Sequence, residues 1–407
     1  RTKRRMMALV GCVLLSVVSL THAAVGSYAW AKAHEGREAT LPLPRLKGAD
    51  PTGLLTGIAG FFRASEPNLG LLTPDAVEAR ATPSGAEARA TPFNQHAMIM
   101  AHDAATTYLD GGLLHPINNW AKTQQDGGFK GMLECGARAF DFRSELKEGK
   151  LIFHHGSVSV DHPVDDALGE VITWANANAA AAEDIVLLHA FACSGSGCDA
   201  AVSAAFAARN ISYITNCAEL SGLTLEAAAA RAKLPGGGLV LAVKGCLVDH
   251  YQEEVACSGY NVDGTKVGEP ARPAAAPAAV EEGAAEGLSF YTCYADSSSK
   301  NFPLDRMWSY LANVSKGGPP SNGYLYSHQA LWQESEESVA IGVTQASTLL
   351  KDEESSTLNA LLIERVTSGV WNVAAANLVE VNNVCDGGPA LLAALRKAQA
   401  EGQKAQA

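Results

Sequence analysis

The stretch that most limits what this chain can fold into is residues 135–156, CGARAFDFRSELKEGKLIFHHG. Two short apolar runs, 137–142 and 151–153, flank a charged segment at 145–150. Runs of this length between polar breaks predict two β-strands joined by a hairpin-like turn. The first run ends at Arg143 and the second at His154 and His155. Arginine offers a rigid fork of donors that matches phosphate oxygens. Histidine can give or take a proton near neutral pH.

The same grammar recurs along the chain. Residues 97–101 (AMIMA) form an apolar run that ends at His102 and Asp103. Residues 113–131 predict a loop and then a helix, and 164–180 predict a helix with Leu168, Val171, Ile172 and Trp174 on one face. Residues 185–190 (IVLLHA) and 238–243 (GLVLAV) predict buried strands, the second ending at Lys244. Helices are expected over 225–232, 349–366 and 389–400, and strands over 289–294, 324–326 and 376–381. Strands alternating with helices predict a parallel α/β sheet. His102, Arg143, His155 and Asn382 all fall at the C-terminal ends of expected strands. A (β/α) barrel gathers such ends at one mouth, whereas a doubly wound sheet has only its switch point. There is no dinucleotide glycine fingerprint and no P-loop.

Composition narrows the function classes. The chain has 407 residues and a formal net charge of −12. That acidity argues against nucleic acid as a partner, since phosphate backbones need clustered Lys and Arg. Residues 1–23 read as a secretory signal peptide: a basic start, an apolar run over 6–20, and a small residue at Ala23. An uncleaved anchor is the competing reading. Eight cysteines follow the signal, an even set that fits disulfides in an exported protein, and the spacing of Cys193 and Cys198 predicts a pair. Zinc is the alternative, but no second short Cys pair or Cys/His box follows. Residues 24–92 lack periodicity and repeat EARATP, so they read as a low-complexity region. The domain is expected over 93–400, interrupted by a Pro/Ala/Glu-rich surface insertion at 269–287.

Together these pieces resemble a known family, the phosphatidylinositol-specific phospholipase C X-domain or PLC-like phosphodiesterase superfamily. The resemblance rests on His102-Asp103, Trp120 and Gln124, the run from Gly136 to Arg143, His154-His155-Gly156 and Glu183-Asp184-Ile185-Val186, in that order over residues 96–190. It returns weakly at 377–384. The resemblance implies a distorted TIM (β/α) barrel and a secreted phosphoric diester hydrolase. Its substrate would be a phosphatidylinositol-like or glycosyl-phosphatidylinositol lipid at a membrane surface, with no obligate protein partner. By position, His102 would be the general base, His155 the general acid, and Arg143 the phosphate holder, with Asp103 pairing with Arg143 or the substrate. The metal-free branch of the family is implied, because its calcium-dependent branch carries an acidic residue where this chain has Arg143. No cofactor is expected, although Asp103 and Asp141 keep calcium open as an alternative.

The departures bear on the head group and on the base. Asn382 stands where the family orients its base histidine with an aspartate, and Glu380 or Asp386 could supply the missing charge. Replacing Asn382 by Asp is therefore expected to raise activity. The basic residues that grip inositol are absent near Ala190 and Gly245, with Lys244 beside the second. Lys244, His328 and Trp332 are the remaining candidates for substrate binding. Two other readings stay open: a secreted barrel with a decayed site that binds lipid or carbohydrate, and a calcium-dependent phosphodiesterase.

Overall fold

The computed structural model describes residues 90–111, 116–179, 184–249, 304–332, 348–374 and 376–406. The signal segment, nearly all of the low-complexity region, the insertion at 269–287 and the strand expected at 289–294 lie outside the described residues. The described residues fall in one compact unit, Arg80–Ala407.

The unit opens with β1 (Met98–Ala101), a 3-10 turn (Ala104–Tyr108), α1 (Pro116–Ala121) and α2 (Gly128–Glu134). β2 (Ala137–Lys147), β3 (Lys150–His155), β4 (Val158–Val160) and α3 (Val164–Ala177) follow. Next are β5 (Val186–Ser194), α4 (Cys198–Ala208), β6 (Ser212–Ile214), α5 (Leu225–Ala232), β7 (Val240–Lys244) and β8 (Leu247–Asp249). The chain ends with α6 (Leu304–Gly317), β9 (Leu325–Gln329), α7 (Leu349–Ser356), α8 (Leu358–Thr367), β10 (Leu378–Val381) and α9 (Gly388–Gln406).

Eight strands pair in the order β6-β7-β5-β2-β1-β10-β9-β8, and every pairing along this path is parallel. β7 and β8 are separated only by Gly245 and Cys246, both at positive φ. The strand that pairs with β5 therefore bends and continues as the strand that pairs with β9, so the ring of pairings closes through the chain itself. This is a distorted (β/α) barrel. The distortion is β6, which precedes β7 in sequence and lies on its other edge.

Strand alternation sorts the side chains into two layers. Met98, Met100, Ala139, Leu187, Leu241, Val243, Leu325 and Leu378 fill the barrel. Ile99, Phe140, Phe142, Leu188 and Val379 face outward against Leu168, Val171, Phe206, Leu362 and Leu395 of the helices. Each such side chain, fully removed from water, contributes about 1.5–3 kcal/mol. No helix among the described residues is long and apolar enough to cross a membrane.

Three features differ from the sequence reading. β2 and β3 run longer than expected and meet at a two-residue turn, Glu148-Gly149, where both residues have positive φ. Such primed turns match strand twist, and Gly149 accepts this backbone without strain. The helix expected over 349–366 is two helices. Ser356 Oγ turns back to the Glu353 carbonyl and accepts from Leu358 N, and Thr357 takes a left-handed conformation between them. Hydroxyls in a row compete with the helix ladder in this way. Finally, β3 is antiparallel to β2 and stands outside the parallel ring. His155 thus reaches the mouth on a hairpin, not on a barrel strand.

Among the described residues three disulfides staple the unit: Cys135–Cys385, Cys193–Cys198 and Cys217–Cys246. The first joins the start of β2 to the segment after β10, 250 residues away. Closing so long a loop restricts the unfolded chain by about 5–6 kcal/mol in the chain-entropy view. Cys257 and Cys293 lie outside the described residues.

Candidate active site

His102 is the first residue past β1. Its N–H donates to the Val381 carbonyl at 3.1 Å. Its own carbonyl accepts from Thr123 Oγ1 at 2.8 Å and Gln124 Nε2 at 3.0 Å. Gln124 Nε2 also donates to Val381 O, and its Oε1 accepts from Val384 N. One side chain therefore pins the ends of β1 and β10 together. The ring Nδ1 of His102 lies 2.9 Å from Asn382 Oδ1.

The next residue, Asp103, sits at φ 42° and ψ 48°, which a non-glycine residue adopts at some cost. Its N–H donates to Asp141 Oδ2 at 3.0 Å. The turn aims a buried carboxylate into the mouth. Asp103 Oδ2 lies 3.1 Å from His102 Nε2 and 3.0 Å from His155 Nε2, and Oδ1 lies 2.9 Å from an Arg143 terminal nitrogen. Burial alone would raise the Asp103 carboxyl, but Arg143, His155 and His102 beside it hold it down at about 2.

Arg143 comes from β2, where the pleat turns Asp141 and Arg143 to the same side as His189 and Phe191 of β5. Its Nε and second terminal nitrogen grip Asp141 at 3.0 and 2.7 Å. Its guanidinium lies 4.8 Å from the Phe191 ring. Burial works against the cation, but Asp103 and Asp141 outweigh it and push the Arg143 pKa up. His155, at the end of β3, points its Nδ1 at the Ala121 carbonyl at 2.9 Å. The His102 and His155 rings lie 6.5 Å apart, nearly perpendicular.

The structure thus brings together His102, Asp103, Arg143, His155 and Asn382. It does not bring Lys244 or His328 to them, and Trp332 meets Asn382 through its backbone carbonyl, not its ring. Lys244 pairs with Asp199 at 2.8 Å and lines a cavity of about 200 Å³ that shares Phe191 with the surroundings of Arg143. His328 is buried and meets Tyr326 and Trp371 on the helix-facing side of β9. Trp332 is fully buried in the outer core, with its indole N–H on Ser356. His154 is tied to backbone carbonyls at Gly156 and Ala192. Asp184 bonds Arg138 and Arg396, a clip at the start of β2 and β5, remote from the mouth.

Neither carboxylate that the sequence offered behind Asn382 reaches it. Glu380 points into the barrel and accepts from Ser327 Oγ at 2.9 Å, and burial raises its pKa. Asp386 is half-buried on the following loop. The carboxylate at Asn382 is Glu353, whose Oε1 accepts from Asn382 Nδ2 at 2.6 Å.

A metal ion could be met by His102, Asp103 and Asp141, the one group of this kind among the described residues. The Arg143 guanidinium already lies on both carboxylates of that group. A divalent cation there would have to displace a paired cation from buried partners, so the residues present do not fit it.

No family model matches the chain, and no curated protein does. Solved structures that match include the F249X mutant of phosphatidylinositol-specific phospholipase C from Staphylococcus aureus, at 14% identity and a TM-score of 0.47, covering 76% of this chain and 94% of that one. Another is phosphatidylinositol-specific phospholipase C from Listeria monocytogenes, at 8% identity and a TM-score of 0.46, covering 76% of this chain and 95% of that one. Likenesses this distant say nothing about the substrate or chemistry of this chain.

Proposed function

We propose that this chain is an exported phosphoric diester hydrolase that cleaves a phosphatidylinositol-like lipid by acid–base catalysis without a metal. The observation that carries the reading is the meeting of His102 Nε2, His155 Nε2 and Arg143 on one buried carboxylate, Asp103. Two proton carriers and a guanidinium around one anionic position are what an in-line phosphoryl displacement needs.

The ring contacts support this reading. Asn382 Oδ1 and Ala121 O are both acceptors, so each histidine keeps its hydrogen on Nδ1 and works through Nε2. His102 Nε2 takes the proton of an inositol hydroxyl as that oxygen attacks phosphorus. His155 Nε2–H gives its proton to the departing glycerol oxygen. A neighbouring hydroxyl as nucleophile makes a cyclic phosphodiester first, and water then opens it with the two roles reversed. Arg143 neutralises the non-bridging oxygens. Asp103 holds the His155 Nε2–H until the leaving oxygen arrives. Three disulfides suit an oxidising compartment, which supports export.

The test is a panel of phospholipid and glycosyl-phosphatidylinositol vesicles, with and without EDTA. Release of a phosphorylated inositol head group, unchanged by chelator, is expected. No turnover of any lipid would favour the binding-protein reading, and loss in EDTA with rescue by calcium would favour the metal enzyme.

A further inference from the structure

Asn382 is neutral, yet a base histidine that takes up a proton is best served by negative charge behind its other nitrogen. The structure places such a charge one residue further out. Asn382 Nδ2 donates to Glu353 Oε1 at 2.6 Å and to the Trp332 carbonyl at 2.7 Å. Both amide hydrogens are used, so the orientation of the amide is fixed by its partners. Its oxygen must then face His102 Nδ1.

Glu353 sits on α7 and is 2% exposed. The same Oε1 accepts from Trp332 N at 3.0 Å. α7 is held in register by the Trp332 indole on Ser356. A buried carboxylate is costly unless it is satisfied, and both of these contacts come from N–H donors. The groups that face His102 from the other elements are Asp103, Asp141, Arg143, His155 and Glu380. None of these is bonded to Asn382. The His102–Asn382–Glu353 chain is thus a separate line of contacts, running away from the mouth.

We infer that Glu353 is a positioning residue that stabilises His102 through Asn382, supplying at one remove the charge the asparagine lacks. This rests on the reading of His102 as the general base. The carboxylate polarises the amide N–H, the amide oxygen becomes a stronger acceptor, and the imidazolium formed during the reaction is favoured. Chains of hydrogen bonds strengthen one another in this way in a low-dielectric interior.

The test compares Glu353→Gln with Glu353→Ala. Glutamine keeps an oxygen to accept from Trp332 and Asn382 and removes only the charge, whereas alanine removes the contacts as well. The Gln variant should melt near the wild type, with kcat down about ten- to a hundredfold, the range typical of partners that orient a site ligand, and KM little changed. The His102 Nδ1–H resonance in the proton NMR spectrum, downfield in the wild type, should move upfield in the Gln variant. A Gln variant with wild-type kcat and an unmoved resonance would overturn the inference, even if the Ala variant fails, because Glu353 would then be only a prop. If the wild type cleaves no phosphodiester, the proposed function falls, and the resonance alone decides whether Glu353 acts on His102.

Discussion

The two histidines reach the same carboxylate from differently built halves of the mouth. His102 is 1% exposed, its backbone clamped by Thr123 and Gln124, and its ring is held by a line of side chains ending at Glu353. The His155 side chain is 10% exposed, stands on a hairpin outside the barrel, and rests its ring on the backbone carbonyl of Ala121. A charged, buried support suits a group that must become cationic within the protein. A neutral carbonyl suits one that starts out cationic and gives its proton away. Under the proposed function, this difference in support is what favours His102 as base and His155 as acid, since the Nε2 contacts, 3.1 and 3.0 Å from the same oxygen, are alike.

His102→Ala and His155→Ala should each lower kcat on a natural lipid by roughly two to four powers of ten. On a p-nitrophenyl phosphodiester, whose leaving group needs no proton, His155→Ala should recover most of its rate while His102→Ala stays poor. Equal recovery of the two would remove the assignment.

A smaller effect sharpens the support behind His102. The sequence leads one to expect that Asn382→Asp raises activity. The structure reverses the sign: a second carboxylate would face Glu353 Oε1 across 2.6 Å and the Trp332 carbonyl across 2.7 Å, with no hydrogen to offer either. Buried acceptors left facing each other cost about 1–3 kcal/mol. Thermal melts and kcat should both fall, and a more active variant would show that the amide is not held as described.

The smallest effect concerns Asp103, which both halves share. Its folded pKa, about 2, lies below its unfolded value of about 3.9. It therefore contributes stability in full above pH 4 and loses it as pH falls through 2, on the order of 2 kcal/mol. The stability gap between the wild type and Asp103→Asn should narrow between about pH 4 and pH 2. A gap that is flat with pH would mean that the carboxylate is not held by Arg143 and the histidines beside it.

The cluster around Asp103 was legible because chemistry-bearing residues stood at the ends of apolar runs. Arg143 and His102 are where such runs end and the mouth begins. The supporting half was not. Glu353 lies in LLKDEESS, where three acids in a row give no sign of which one turns inward, and its link to Asn382 crosses 29 residues. Strands of three residues, β4, β6 and β8, carry too little pattern to be seen beside loops. The outward turn of His328 was available in the pleat. Leu325 packs inside the barrel and Ser327 bonds the interior Glu380, so His328 must face the helices. Lys244 ends its strand as a candidate for substrate binding, but Asp199 of α4, far away in sequence, pairs with it instead.

The central claim is metal-free transfer of phosphorus to a neighbouring hydroxyl by the His102 and His155 pair. Phosphorus-31 NMR of phosphatidylinositol vesicles turned over in excess EDTA tests it most directly. A cyclic inositol phosphodiester should appear first and then decay to the monoester, with neither signal in His102→Ala. A monoester formed with no cyclic precursor, or a reaction abolished by EDTA and restored by calcium, would contradict it.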